Sequence, residues 1–340
     1  MKNRKQKSEI RNQKKRSLSL SSVLCLLFSA LCFLSSELYF CSAIYAARQG
    51  QGKNNFLQEA DNAYSQGSID KSVELYQKAL NEDPQNAAAA QSLGVTYAEK
   101  GEWDKAIETL NRALALNPES GEVNMNLSLA YAEKKDFEKA VSYGQKAVSI
   151  SPKKGNVYLT LGLAYEGTRN SQKAINAYQR GIAADPKNAD LHLTLGNLYG
   201  KQGLFDKAIK SYDEAIRQNP KNTFAYSNIA YVYEEKKDEK KAIEILTQAI
   251  KVNPDDDTVW YDLGAAYGKT GDNAKAMEHY KKSFDLNPKS YKACVSLAMA
   301  YEKQRNLEKA AEYYVKAMDL TNEPKLKEAI LRQISRNSGT

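Results

Sequence analysis

Seven prolines, Pro84, Pro118, Pro152, Pro186, Pro220, Pro254 and Pro288, follow one another at intervals of 34 residues with no insertion. Each closes a near-copy of the stretch "KAIETLNRALALNP", Lys105 to Pro118. A fixed period of this length describes a stacked array of short units, not two or three independent globular domains. Proline supplies no backbone N–H and pushes the residue before it away from helical dihedrals, so each one stops a helix and restarts the register.

With each recurring proline set as position 32 of a unit, position 7 is Leu93, Leu127, Leu161, Leu195, Ile229, Leu263 and Leu297. Position 11 is Tyr97, Tyr131, Tyr165, Tyr199, Tyr233, Tyr267 and Tyr301. Residues four apart share a helix face. A second apolar stripe runs through alanine at position 20 (Ala106, Ala140, Ala174, Ala208, Ala242, Ala276, Ala310), Leu or Tyr at position 24 (Leu110, Tyr178, Tyr212, Leu246, Tyr280, Tyr314) and alanine at position 27 (Ala113, Ala147, Ala215, Ala249, Ala317). Each unit therefore reads as two amphipathic helices. The polar breaks between them, such as "EKGEWDK" and "KQGLFDK", carry Gly67, Gly101, Gly203 and Gly271, which supply a turn that a side chain would resist. Small residues at position 8, among them Gly94, Gly162, Gly196 and Gly264, are expected to meet the alanines of position 20 and let the two backbones approach.

These residues closely resemble the tetratricopeptide repeat (TPR) family, whose pattern is a large residue at position 4, Leu-Gly at 7 and 8, Tyr at 11, Ala at 20, an aromatic at 24, Ala at 27 and Pro at 32. Trp260 to Pro288 and His192 to Pro220 match it best. The resemblance covers residues 53–322 in eight units and implies an all-α fold, a right-handed superhelix of helix-turn-helix repeats of the α-solenoid type. The first unit departs with Glu59 and Ala63 where the others have an aliphatic residue and Tyr, as suits an end repeat with one wet face. The eighth has Asn322 in place of proline, and residues 323–337, with Leu326, Ile330, Leu331 and Ile334 at helical spacing, suit a capping helix.

Charge separates the N-terminus from the array. Of a formal net charge of +8, residues 1–16 hold eight Lys and Arg against Glu9, whereas residues 48–340 balance 41 Lys and Arg against 39 Asp and Glu. The basic tail of residues 1–16 precedes residues 17–47, in which Leu18 to Ser36 is free of charge. A helix of that length covers about 28 Å, close to the hydrocarbon thickness of a bilayer. The preceding cations favour a cytoplasmic N-terminus, which sends the repeats across the membrane on a single-pass anchor. The competing reading is a signal peptide cleaved near Ala43, which releases a periplasmic or secreted array. Residues 48–52 form a short polar linker to the repeats. Cys25, Cys32 and Cys41 lie in or just after the apolar segment, and Cys294 is alone in the array, so no disulfide framework forms within one copy of the repeats.

Catalysis needs a cluster of acids, bases, nucleophiles or metal ligands, and the sequence offers two histidines and one cysteine in the array. His192 and Cys294 fall at position 4, the large core-facing site that holds Tyr158, Tyr226 and Trp260 elsewhere, which suits packing. His279 reads as a helix-surface residue. "NPDDDT", Asn253 to Thr258, fits helix-capping aspartates better than a metal loop. No phosphate loop, dinucleotide fingerprint or zinc spacing is present, so the expectation is a non-enzymatic chain with no cofactor and no metal. Nucleic acid is not an expected partner, because the tyrosines sit at core positions and the array is nearly neutral.

The expected partners are other proteins. The resemblance implies that positions 2, 5, 9, 12 and 13 of the first helices line the concave side of the superhelix. Across repeats two to five these positions place Val95, Met125, Leu129, Leu159, Leu163 and Leu193 along a groove rimmed by Glu99, Glu133 and Glu166. Contiguous exposed apolar surface marks an interaction site, here for an apolar segment with flanking basic residues. Burial of some of these leucines between neighbouring repeats, or self-association of the chain, are the alternatives. The chaperone-binding pattern of Lys at position 5 with Asn at position 9 is absent, with Asn197 its single match.

Overall fold

The computed structural model describes residues 55–338, and every regular element among them is an α-helix. The N-terminal tail, the apolar segment of residues 18–36 and the linker of residues 48–52 lie outside the described residues. The chain divides into two compact units between Ala130 and Tyr131. The first contains α1 (Asn55–Ser65), α2 (Ile69–Glu82), α3 (Ala87–Glu99), α4 (Trp103–Leu116) and most of α5 (Gly121–Glu133). The second continues with α6 (Phe137–Ile150), α7 (Gly155–Gly167), α8 (Ser171–Ala184), α9 (Ala189–Lys201), α10 (Phe205–Gln218), α11 (Thr223–Glu235) and α12 (Glu239–Val252). It ends with α13 (Asp257–Thr270), α14 (Asn273–Leu286), α15 (Tyr291–Lys303), α16 (Leu307–Leu320) and α17 (Pro324–Ser338). Odd-numbered helices up to α15 are the first helices of repeats, and within each unit a first helix packs on the even-numbered helix after it.

The helix ends follow from the residues at the repeat junction. The residue before each proline leaves the helix, as at Asp83 with φ −130° and ψ 90° and at Asn117 with φ −137° and ψ 83°. At most junctions a short polar side chain two residues past the proline caps the next helix, whereas Lys154 and Asn222 make no such bond. Asn86, Asn188, Asp256 and Ser290 accept from the N–H of Ala89, Leu191, Thr258 and Ala293. The aspartate run Asp255 to Asp257 is thus used for capping through Asp256, whose Oδ1 accepts from the Thr258 N–H at 2.9 Å.

Inside each repeat, the turn after the first helix needs one residue with left-handed backbone at position 15. Gly67, Gly101, Gly203 and Gly271 take φ of 73° to 85°, as the sequence suggests. The other four repeats place Lys135, Arg169, Lys237 and Arg305 there at φ of 59° to 63°. The turn geometry is therefore common to all eight hairpins, and half of them adopt it against the preference of an L side chain.

The core lies between paired helices. The position-20 alanines are all buried, as are the aliphatic residues of position 7. Small residues at position 8 do let the helices approach, but the atoms they admit belong to position 24. A Cβ on Gly162 would fall 2.1 Å from Tyr178 Cε1, and on Gly196 2.6 Å from Tyr212 Cε1. The expected contact with position 20 holds in part: a Cβ on Gly264 would lie 3.0 Å from the Ala276 carbonyl oxygen, but the atoms these glycines mainly make room for are those of the position-24 side chain, a ring or Leu110. At the outer seam a lysine ammonium sits over each position-11 tyrosine, for example Lys105 over Tyr97 at 5.4 Å and Lys275 over Tyr267 at 4.9 Å. α17 closes the last hairpin by burying Ile330 against Cys294, Ala298 and Tyr314.

Candidate functional site

Position 4 supplies a repeated local bond in place of chemistry. Tyr158 Oη donates to the Pro152 carbonyl at 3.1 Å, and Trp260 Nε1 donates to that of Pro254 at 2.7 Å. His192 Nε2 lies 3.2 Å from the Pro186 carbonyl, the same contact one repeat apart. His192 is therefore a polar anchor between repeats. Cys294, also at position 4, is fully buried, and burial raises its thiol above the ordinary value. His279 departs from the surface role expected of it. Its ring packs on Trp260 and Tyr267, with centroids 5.5 and 5.2 Å apart, and burial lowers its pKa. Among the described residues no group of three or more His, Cys, Asp and Glu side chains is arranged to hold a metal ion.

The groove residues named from the sequence fall in both compact units. In the first unit, Val95, Met125 and Leu129 are half-buried and Glu99 is exposed, accepting from the Tyr64 hydroxyl. In the second, Leu163 is half-buried, but Leu159 and Leu193 are each only 7% exposed. Leu159 packs with Leu191, Leu195 and Leu198 of the next first helix, and Leu193 with Ile229 and Val232 of the one after. The expectation that these two leucines face solvent is corrected: adjacent first helices cover them. Glu133 is half-buried, and burial raises its carboxyl. Glu166 is no free rim charge, since it accepts from the Tyr178 hydroxyl at 2.7 Å and from Lys201 Nζ at 2.8 Å.

Further along the second unit the same face opens. Phe224 and Tyr231, at positions 2 and 9 of the sixth repeat, are 41% and 52% exposed, and Met299, at position 9 of the eighth, is 52% exposed. Beneath the aromatic pair runs a polar ladder between first helices. Asn228 Nδ2 and Tyr212 Oη both donate to Asn197 Oδ1, at 2.9 Å each. Ser227 Oγ donates to Asp262 Oδ2 at 2.6 Å, and Lys269 bonds Glu234. Burial pushes the Asp262 carboxyl up to about 6, against the opposing effect of the Ser227 hydrogen bond. Sequence reasoning passed over Phe224 and Tyr231, and it places Asp262 only in a ladder of small polar residues at position 6, with Asn228 and Ser296. The signal was there, aromatic residues at positions 2 and 9, but in repeats beyond the leucine-rich ones.

Residues 122–333 match the family model described as the Cilia and flagella-associated protein 70 C-terminal domain, and residues 63–129 match a tetratricopeptide repeat model. The chain belongs to the tetratricopeptide-repeat family. Its structure is similar to the crystal structure of yeast Tom70, with TM-score 0.66 and 18% identity over 82% of this chain and 60% of that one. It is also similar to Pseudomonas aeruginosa pilF, with TM-score 0.51 and 17% identity over 63% of this chain and 97% of that one. MamA aligns at 29% identity over 48% of this chain and 95% of the other, with TM-score 0.42. The Tom70 and pilF likenesses are likenesses of fold, an all-helical TPR solenoid, and this chain spans 60% of the Tom70 length. No curated protein matches the chain.

Proposed function

We propose that this chain is a non-catalytic protein-interaction adaptor, and that a segment of another protein binds along the exposed face of the first helices in its second unit. The observation that carries this reading is the exposure of Phe224, at position 2, and of Tyr231 and Met299, at position 9, on first helices whose position-5 leucines Leu159 and Leu193 are buried in earlier repeats. Large apolar side chains left open on an otherwise packed face mark an interaction surface. Residues 18–36 tether the chain to a membrane, with the basic tail on the cytoplasmic side and the repeats on the other; cleavage near Ala43 would leave the same repeats free on that side. Among the described residues no helix is long and apolar enough to span a bilayer, so the tether rests on the sequence of residues 18–36.

A photocrosslinking amino acid placed at Tyr231 in the full chain in cells, and separately at the exposed outer residue Lys210, tests the adaptor reading. A second protein joined at position 231 and absent at position 210 is the expected result. The second reading, self-assembly of copies of this chain, is favoured by the exposure of Leu307, Val315 and Leu331 in the last repeat and α17. Crosslinks from position 231 to other copies of the chain alone would replace the first reading with the second.

A further inference from the structure

Phe224, Ser227 and Tyr231 are spaced by three and then four residues on α11, so they form one stripe with the serine between the two rings. The serine hydroxyl is bonded to the Asp262 carboxylate of α13 at 2.6 Å. The Asp262 carboxylate is thereby fixed at the serine, the middle residue of a stripe whose two ends are exposed aromatic side chains. At the C-terminal end of the stripe lie Glu234, paired with Lys269, and Glu235, which stands beside the Tyr231 hydroxyl. The charges whose fields reach Asp262 are Glu234, Asp256 and Lys292, and no ion pair joins Lys292 to Asp262 among the described residues.

Four lysines of this unit are engaged elsewhere. Lys207, Lys241 and Lys275 lie over the rings of Tyr199, Tyr233 and Tyr267, and Lys236 pairs with Asp206. Among the described residues no lysine or arginine lies over Phe224 or Tyr231. A desolvated carboxylate with a single hydrogen bond is stabilised most by a cation brought to it, and the faces of flanking rings add to that attraction.

We propose that Asp262, Phe224 and Tyr231 form a receptor for one arginine or lysine side chain, carried by an apolar segment of the partner protein. Charge complementarity selects this occupant: the stripe offers an unpaired carboxylate and two open rings, and an acidic or purely apolar segment would leave Asp262 buried without a counter-ion. Arginine suits it best, because a planar guanidinium stacks on rings while bonding a carboxylate. The raised Asp262 carboxyl fits the same role, since sites that await a charged ligand keep groups that are unfavourable in the free protein.

This inference rests on the adaptor reading, and the test separates the two. Fluorescent nonapeptides with randomised Ala, Leu, Val and Phe around a fixed central Arg, Lys, citrulline or Glu are titrated against the full-length chain in detergent, using anisotropy. Arg and Lys peptides are expected to bind at least tenfold tighter than citrulline peptides at pH 7.5, with the preference fading as pH falls through about 6, where Asp262 gains its proton. Asp262→Asn, whose folding is checked by thermal melting, should erase the preference while leaving citrulline binding unchanged. Equal binding of Arg and citrulline peptides, or a preference that survives Asp262→Asn, overturns the cation receptor. If Phe224→Ala with Tyr231→Ala abolishes that equal binding, the adaptor reading survives alone. Absence of any binding overturns both.

Discussion

Arg169 adopts φ 61° because the hairpin it joins requires that dihedral of any residue at position 15. Left-handed backbone costs a residue with a Cβ about 1–2 kcal/mol, and glycine returns part of that through its greater freedom when unfolded. Arg169→Gly is therefore expected to stabilise the protein by roughly 0.5 kcal/mol in urea denaturation; a loss of stability would mean that the arginine side chain has a role its backbone does not reveal. Ser283 occupies position 27, which is alanine in most other repeats, and its Oγ is buried with no hydrogen-bond partner. Ser283→Ala should raise stability by about 1 kcal/mol by removing an unsatisfied hydroxyl, and unchanged melting would point to a bound water. Asp262 gives a pH signature. Its folded pKa of about 6 exceeds the ordinary 3.8, so the folded state holds a proton that the unfolded state has released between these values. Its contribution is favourable below about pH 4 and is lost as pH rises to 6. Asp262→Asn should remove that decline and gain on the order of 2 kcal/mol at neutral pH, read from melting curves across pH 4 to 7.

At the scale of single elements, α17 shows how an array is closed. Ile330 enters the cluster of Cys294, Ala298, Ala310, Tyr314 and Ala317, covering a face that another repeat would otherwise cover. Ile330→Ala should cost about 2–4 kcal/mol and make Cys294 react with a thiol reagent well before the rest of the array unfolds. Mass mapping separates Cys294 from Cys25, Cys32 and Cys41. Cys294 labelling that still waits for global unfolding would show that α17 is not what protects it. The first helices also differ among themselves in how much of this face they leave open. α7 is covered on nearly every side, whereas α11 leaves two aromatic rings open, although both present the same repeat positions.

For the whole molecule, the proposed membrane tether rests on the uncharged Leu18 to Ser36 segment and the basic residues before it. The full chain is expected to stay with membranes through alkaline carbonate extraction, and removal of residues 1–47 should release it; a released chain that has lost residues 1–43 would favour cleavage near Ala43. The proposed adaptor role also joins the scales: the first helices of the second unit present the binding side chains, and the stripe on α11 is held in place by bonds to α9 and α13 through Asn228 and Ser227.

The amino-acid sequence alone determined the repeat, because burial of one stripe per helix forces apolar residues to recur at positions 7, 11, 20, 24 and 27, and because proline ends a helix wherever it stands. It also showed that Gly67, Gly101, Gly203 and Gly271 turn the chain, since glycine signals a left-handed dihedral by its lack of a Cβ. The tertiary structure alone decided that Lys135, Arg169, Lys237 and Arg305 make the same turn, as packing of the two helices outweighs a local preference of one or two kcal/mol. It likewise decided which first-helix side chains are open. Leu159 and Leu193 are covered by neighbouring first helices, while Phe224 and Tyr231 are not. Exposure depends on what the adjacent repeat places opposite a side chain, and the period of a sequence carries no record of that distance.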